Sequence, residues 1–121
     1  MPFINPCHRG LAYGDGHIQG AGALGQVVSI AGNDLFAVNT DPTAPSFGLL
    51  IKDYAAGDMP GIYCMGGVYE TDVFEGTISA GDAIKVSANG KLIGGVIGAD
   101  ELVIARAISV AGGTLKFRLL I

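Results

Sequence analysis

The chain has 121 residues and a mass of 12.3 kDa, with half its residues apolar, 15% charged and a mean hydropathy of +0.48, which suits one packed core and excludes a disordered chain. Its formal net charge is −4 and its seven Lys and Arg are dispersed from Arg9 to Arg118, so no basic run is available for phosphates or anionic lipid, and neither nucleic acid nor membrane is an expected partner. Glycine, at 20 of 121 residues without a Gly-X-Y period, points to turns and not to helices.

In chain order, residues 1–24 come first. They hold Pro2, Pro6, both histidines and many glycines, with apolar side chains at no fixed period, and are expected to form an extended Gly-rich arm. The start has neither a basic n-region nor an apolar h-region, so a soluble protein made without a signal is expected. Gly20-Ala21-Gly22-Ala23-Leu24-Gly25 spells GxGxxG. It leads into the strand-like Gln26-Val27-Val28-Ser29-Ile30, not the helix a dinucleotide site requires, so the match is read as chance.

From Gly25 onward, short β-branched runs alternate with turn signals about every eight to twelve residues, the pattern of a sandwich or barrel. Strands are expected at 26–30, 35–38, 47–52, 61–65, 84–86, 92–93, 102–108 and 115–121. In the last, Leu115, Phe117, Leu119 and Ile121 share one face and Lys116 and Arg118 the other, a half-buried alternation. Asn89-Gly90 suggests a type I′ hairpin turn. The fold class is therefore all-β: a compact β-barrel or β-sandwich of residues 25–121 carrying the arm 1–24. An echo runs through that body at a spacing of 56, where Gly25, Asn33, Ala55 and Gly57 meet Gly81, Asn89, Ala111 and Gly113, which suggests a duplication of 25–65 in 81–121.

Chemistry is sparse. Cys7, His8 and His17 match no common zinc spacing and lack a fourth ligand, and no histidine lies beyond residue 17. Neither serine nor cysteine sits in a nucleophile motif. Cys7 and Cys64 cannot make a disulfide framework and read as reduced thiols. Glu70, Asp72 and Glu75 form the densest acidic group, which reads as a solvated turn more readily than as a glycoside or calcium site. No catalytic residue, metal or cofactor is expected. Met59, Tyr63, Met65 and Tyr69 form a soft apolar stretch, either a core strand or an oligomer interface.

The hairpin with Ser79-Ala80-Gly81-Asp82 leading into Ala83 to Leu92 resembles the small decoration, or cement, proteins of tailed-phage capsids. So do Phe47-Gly48-Leu49-Leu50 with Ala55-Ala56-Gly57-Asp58, the stretch Gly67 to Thr71 and the closing Leu115 to Ile121. The resemblance covers about residues 25–121. It implies a β-body on the outer surface of a virion, commonly trimeric, that binds the major capsid protein and strengthens its lattice. The arm would then lie along a neighbouring subunit, with Phe3, Ile4, Leu11 and Tyr13 as anchors and Arg9 as a polar contact. A small-ligand or metal-binding β-module, including a metal-dependent enzyme, and a phage tail or baseplate module are the alternatives.

Overall fold

A computed structural model describes all 121 residues. The chain forms eleven strands and no helix: β1 Ile4–Gly14, β2 His17–Ile18, β3 Val27–Gly32, β4 Leu35–Val38, β5 Gly48–Leu50, β6 Gly61–Thr71, β7 Phe74–Glu75, β8 Ala83–Val86, β9 Leu92–Ile93, β10 Ala105–Ala111 and β11 Thr114–Leu119. Ten of them lie side by side across a mixed sheet in the order β2-β4-β3-β5-β6-β11-β10-β8-β9-β7, and β1 lies along β6 off this path. β2 and β7 do not pair with each other, so this compact all-β fold is an open sheet and not a closed barrel.

The order is palindromic about the β6–β11 contact, and its pairings recur at the spacing of the sequence echo. Ile18 pairs with Phe36 in parallel, as Phe74 does with Leu92. Ser29↔Ala37 and Ile30↔Phe36 recur as Lys85↔Ile93 and Val86↔Leu92. The Gly25 amide donates to the Leu50 carbonyl (2.9 Å) and the Gly81 amide to that of Ala107 (2.8 Å), one residue further on.

Turn chemistry explains why the short strands start where they do. At Ala23–Gln26, Ala55–Asp58 and Ser79–Asp82, the first amide donates to the side-chain oxygen of the fourth residue, 2.8 Å in each case. The fourth amide donates back to the first carbonyl at 3.0 to 3.1 Å. The third residue is glycine with φ of +82°, +89° and +88°, the value that position i+2 of a type II turn demands and that only glycine adopts cheaply.

The Asn89-Gly90 turn differs from the expected type I′. Gly90 has φ +75° but Asn89 does not take positive φ, and the Gly90 amide donates to the Ser87 carbonyl at 3.0 Å. A turn over 87–90 closed by a left-handed residue is the three-residue form with a bulge. Asn89 is held in it because its side chain donates to Glu75 Oε2 (2.9 Å) and its amide to Ser87 Oγ (3.2 Å). The equivalent left-handed position in the first hairpin is Asp34, φ +49°.

Two apolar clusters hold the sheet. The larger has fifteen buried residues, including Val27, Leu49 and Tyr63 from the first half and Ile84, Leu92, Leu115, Phe117 and Leu119 from the second. The smaller gathers Ile18, Val28, Phe36, Leu50 and Ile62, covered by Tyr13, Phe47, Tyr54 and Cys64. Because alternate residues of a strand face opposite sides, Val27, Leu49 and Tyr63 form one cross-strand row toward the large cluster, while their neighbours Val28, Leu50 and Ile62 face the small one. The first half-sheet is thus buried on both sides.

The N-terminal segment is not a loose arm. Nine Cα pairings join β1 to β6, from Ile4↔Thr71 to Gly14↔Gly61, and Ile4 belongs to the large cluster. No regular alternation betrays this strand, because Cys7 is an extra residue between Pro6 and His8 and reverses the faces there, while the second register shift, between Leu11 and Ala12, places its extra residue, Cys64, on β6. The N-terminal end of β1 is tied: the Phe3 amide donates to Asp72 Oδ1 (2.8 Å) and Thr71 Oγ1 donates to the Phe3 carbonyl (2.7 Å). The window 102–108, expected as a strand, supplies β10 from Ala105.

Candidate association surface

The residues expected to make contacts divide into two groups. Ile4 is buried in the core, Phe3 is tied to Asp72 and Thr71, and Tyr13 stacks edge-on to Phe36 and Phe47 at 5.6 and 5.5 Å. The Tyr13 hydroxyl donates to Asp34 Oδ1 at 2.9 Å, and that carboxylate holds its proton, raising the phenol's pKa. Ile4 and Tyr13 are therefore engaged within the fold, while Phe3 is held through its backbone with its side chain half-buried. Leu11 is 61% exposed, and Arg9 is exposed with its guanidinium 5.9 Å from the Tyr63 ring centroid.

The soft apolar stretch splits similarly. Tyr63 and Tyr69 are buried, their rings 4.6 Å apart, so neither reaches a partner. Met65 is 59% exposed on β6, and Met59 is exposed in the preceding loop. Spacing in the sequence could not separate the pairs: the β1–β6 register shifts by one residue at Cys64, between Tyr63 and Met65, so Met65 is exposed while Tyr63, two positions before it, is buried.

The acidic triplet is dispersed. Glu70 pairs across β6 with Lys116 and with Asn5, Asp72 holds the Phe3 amide, and Glu75 accepts from Ser87 Oγ and Asn89 Nδ2. Those two bonds, Ser87 first, lower the Glu75 pKa. Burial, then the neighbouring Glu70 carboxylate, pushes the Cys7 thiol up, and burial raises Cys64. Neither is the lowered-pKa thiolate that nucleophilic chemistry needs. Cys7 and His8 lie on β1 and His17 on β2, and no three His, Cys, Asp or Glu side chains are grouped to hold a metal ion. The glycines of GxGxxG serve structure: Gly22 bridges to Tyr54 and Gly25 makes the turn into β3.

The surface left open is built around the kink in β6. Gly66 and Gly67 have φ +59° and +94°, and β1 comes so close that a Cβ on Gly10 would lie 1.8 Å from the Met65 carbonyl oxygen and one on Gly67 2.4 Å from the Gly10 nitrogen. At the kink, the edge of β6 passes from pairing with β5 at Ile62 and Tyr63 to pairing with β11 at Val68 to Thr71. The Gly66 amide, between the two, donates to the Ile121 carbonyl at 3.1 Å.

The divergence of the half-sheets opens a groove of about 480 Å³, lined by Leu11, Met65, Leu120 and Ile121 with glycine backbone and with Arg118 among its walls. Leu120 is 43% exposed. A smaller hollow of about 250 Å³ lies between Ile30, Pro45, Ser46 and Phe47. Sequence pattern pointed to Leu11 and Met65 but not to Arg118, Leu120 and the C-terminal end. The one signal for them was the break in alternation at Leu119-Leu120-Ile121, where consecutive apolar residues cannot all face one core.

No protein-family model and no curated protein sequence matches the chain. Solved structures do. The chain is similar to the head fiber gp8.5 N base of bacteriophage phi29. The crystal structure of that base and this chain have a TM-score of 0.66, over 90% of this chain and 92% of the other, at 13% sequence identity. At that identity the likeness is one of fold.

Proposed function

We propose that this chain is a structural protein of a phage head. In this reading it sits on the outer capsid surface, binds the major capsid protein, and acts as a homotrimeric decoration or cement protein that stabilises the lattice. The observation that carries the reading is the fold shared over 90% of the chain with a phage head fiber base. Surface chemistry agrees with it. Acidic and thiol groups are engaged in turns or raised in pKa, while exposed apolar side chains at Leu11, Met59, Met65, Val96 and Leu120 provide contact area. A head protein repeated by the symmetry of the shell needs only modest contacts per copy, because linked copies bind with avidity. No reaction is assigned to it.

Co-sedimentation with phage particles lacking the chain tests this directly. Saturable binding at a fixed ratio to the major capsid protein, with a rise in the temperature at which particles disrupt, is expected. Absence of binding to heads, or binding confined to tails, overturns the head assignment, and binding that leaves particle melting unchanged overturns the cement role. Light scattering should return about three times 12.3 kDa for the free protein, and a strict monomer at millimolar concentration removes the trimer.

A further inference from the structure

We propose that copies of this chain join head to tail, the 94–98 loop of one copy seated in the Leu11–Met65–Leu120 groove of the next, with Asp100 of the first against Arg118 of the second. This rests on the reading that the chain self-associates and names the surfaces that do it.

The loop is a preformed knob. Val96 at its tip is 89% exposed, the most exposed large hydrophobic after the N-terminal Met1, and a β-branched side chain has few rotamers to lose. The loop is tied to the body from its tip to its end: Lys85 Nζ donates to the Val96 carbonyl (3.3 Å) and pairs with Glu101 (2.7 Å), and the Glu101 amide donates to the Gly98 carbonyl (3.1 Å). A rigid knob loses little entropy on docking. Beside it, Asp100 is exposed and makes no ion pair.

The groove is its complement in both shape and charge. Three apolar walls, Leu11, Met65 and Leu120, stand open to solvent around a volume of about 480 Å³, ample for one valine and its flanking backbone. Arg118 at its wall is exposed and also free of any ion pair. The only ion pair in the chain is Lys85–Glu101, which fixes the loop; Asp100 is the unpaired acid that follows the loop in the chain, and Arg118 is the one basic residue lining the groove. In a protein of net charge −4, copies repel at long range, so a contact between them favours a place where an acid meets a base. Knob and groove are different patches, which makes the contact heterologous: repeated, it closes into a ring or runs on as a filament. The N-terminus is not a competing occupant, since Phe3 is tied to Asp72 and Thr71.

Charge exchange in the full chain tests the contact, with association followed by light scattering and folding checked by circular dichroism. Arg118→Asp and Asp100→Arg should each weaken association by about tenfold or more, equivalent to about 1.4 kcal/mol, and the chain carrying both should recover it. Val96→Asp should also give monomer. Oligomers that survive Val96→Asp and Arg118→Asp, or a double variant that stays as weak as its parents, overturn the contact while leaving self-association standing. A wild-type chain that is monomeric at all concentrations overturns both, and head binding by co-sedimentation is read separately.

Discussion

A methyl group added at Gly10 should destabilise the protein far more than one added at Gly14, four residues along the same strand. Neither glycine has positive φ, so alanine is conformationally acceptable at both and only space differs. At Gly14 a Cβ meets nothing within 4 Å, whereas at Gly10 it would stand 1.8 Å from the Met65 carbonyl oxygen and 2.4 Å from that of Gly66. Both atoms are backbone, so no side chain can swing aside. An ordinary contact near 3.4 Å requires the strands to part by well over an ångström, which breaks the ladder on either side of the kink. Losing about two backbone hydrogen bonds at roughly 1 kcal/mol each, with some exposure of the groove wall, costs about 2 to 3 kcal/mol. Gly14→Ala should stay within about 0.5 kcal/mol of wild type. Urea titrations of the two variants measure the difference, and Gly10→Ala should lower Tm by about 6 to 15 °C. If the two variants agree within about 0.5 kcal/mol, β1 is not packed against β6 as described, and the segment is the loose arm that its composition suggests.

Packing and hydrogen bonding set three further outcomes. Phe117→Ala should cost about 3 to 5 kcal/mol in urea unfolding, because the ring is fully buried in the large cluster; a loss below about 1 kcal/mol would contradict that placement. Asp82→Ala removes the acceptor of the Ser79 amide and should cost about 0.5 to 1 kcal/mol by the same assay, with Asp82→Asn recovering most of it. Glu75 has a folded pKa below its ordinary value of 4.5, owing to Ser87 and then Asn89. Its contribution is therefore present above pH 4.5 and fades as pH falls through the depressed value. Stability measured from pH 6 to 3 should fall less steeply for Glu75→Gln than for wild type, and equal slopes would rule out these bonds as the cause.

How far the sequence reached can be seen strand by strand. β11 was legible because Leu115, Phe117 and Leu119 alternate with Lys116 and Arg118, and burial tracks that alternation. The turns at Gly25, Gly57 and Gly81 were legible because a positive φ leaves few residues to choose from. β1 was not, since a bulge at Cys7 interrupts its period and its partner lies almost sixty residues away. Basic residues are dispersed along the sequence, yet His8, Arg118 and Arg106 meet Val68 or one another across β1, β6, β11 and β10, a grouping that only strand pairing creates. The candidate groove was half visible, through Leu11 and Met65, while Tyr63 and Tyr69, which read alike in the sequence, were withdrawn into the core.

By itself the sequence determined the all-β class, the places where the chain turns, the 56-residue echo and the poverty of catalytic groups. Each of these rests on local rules: backbone conformations open to glycine, side-chain alternation, and the chemistry a residue type can perform. The tertiary structure alone decided that the first residues form a strand, that the sheet stays open with a palindromic order, and that a kink at Gly66 and Gly67 opens a groove beside Arg118. The reason is that strand pairing is chosen by the burial of side chains far apart in the chain. No window of sequence contains both partners of such a pair.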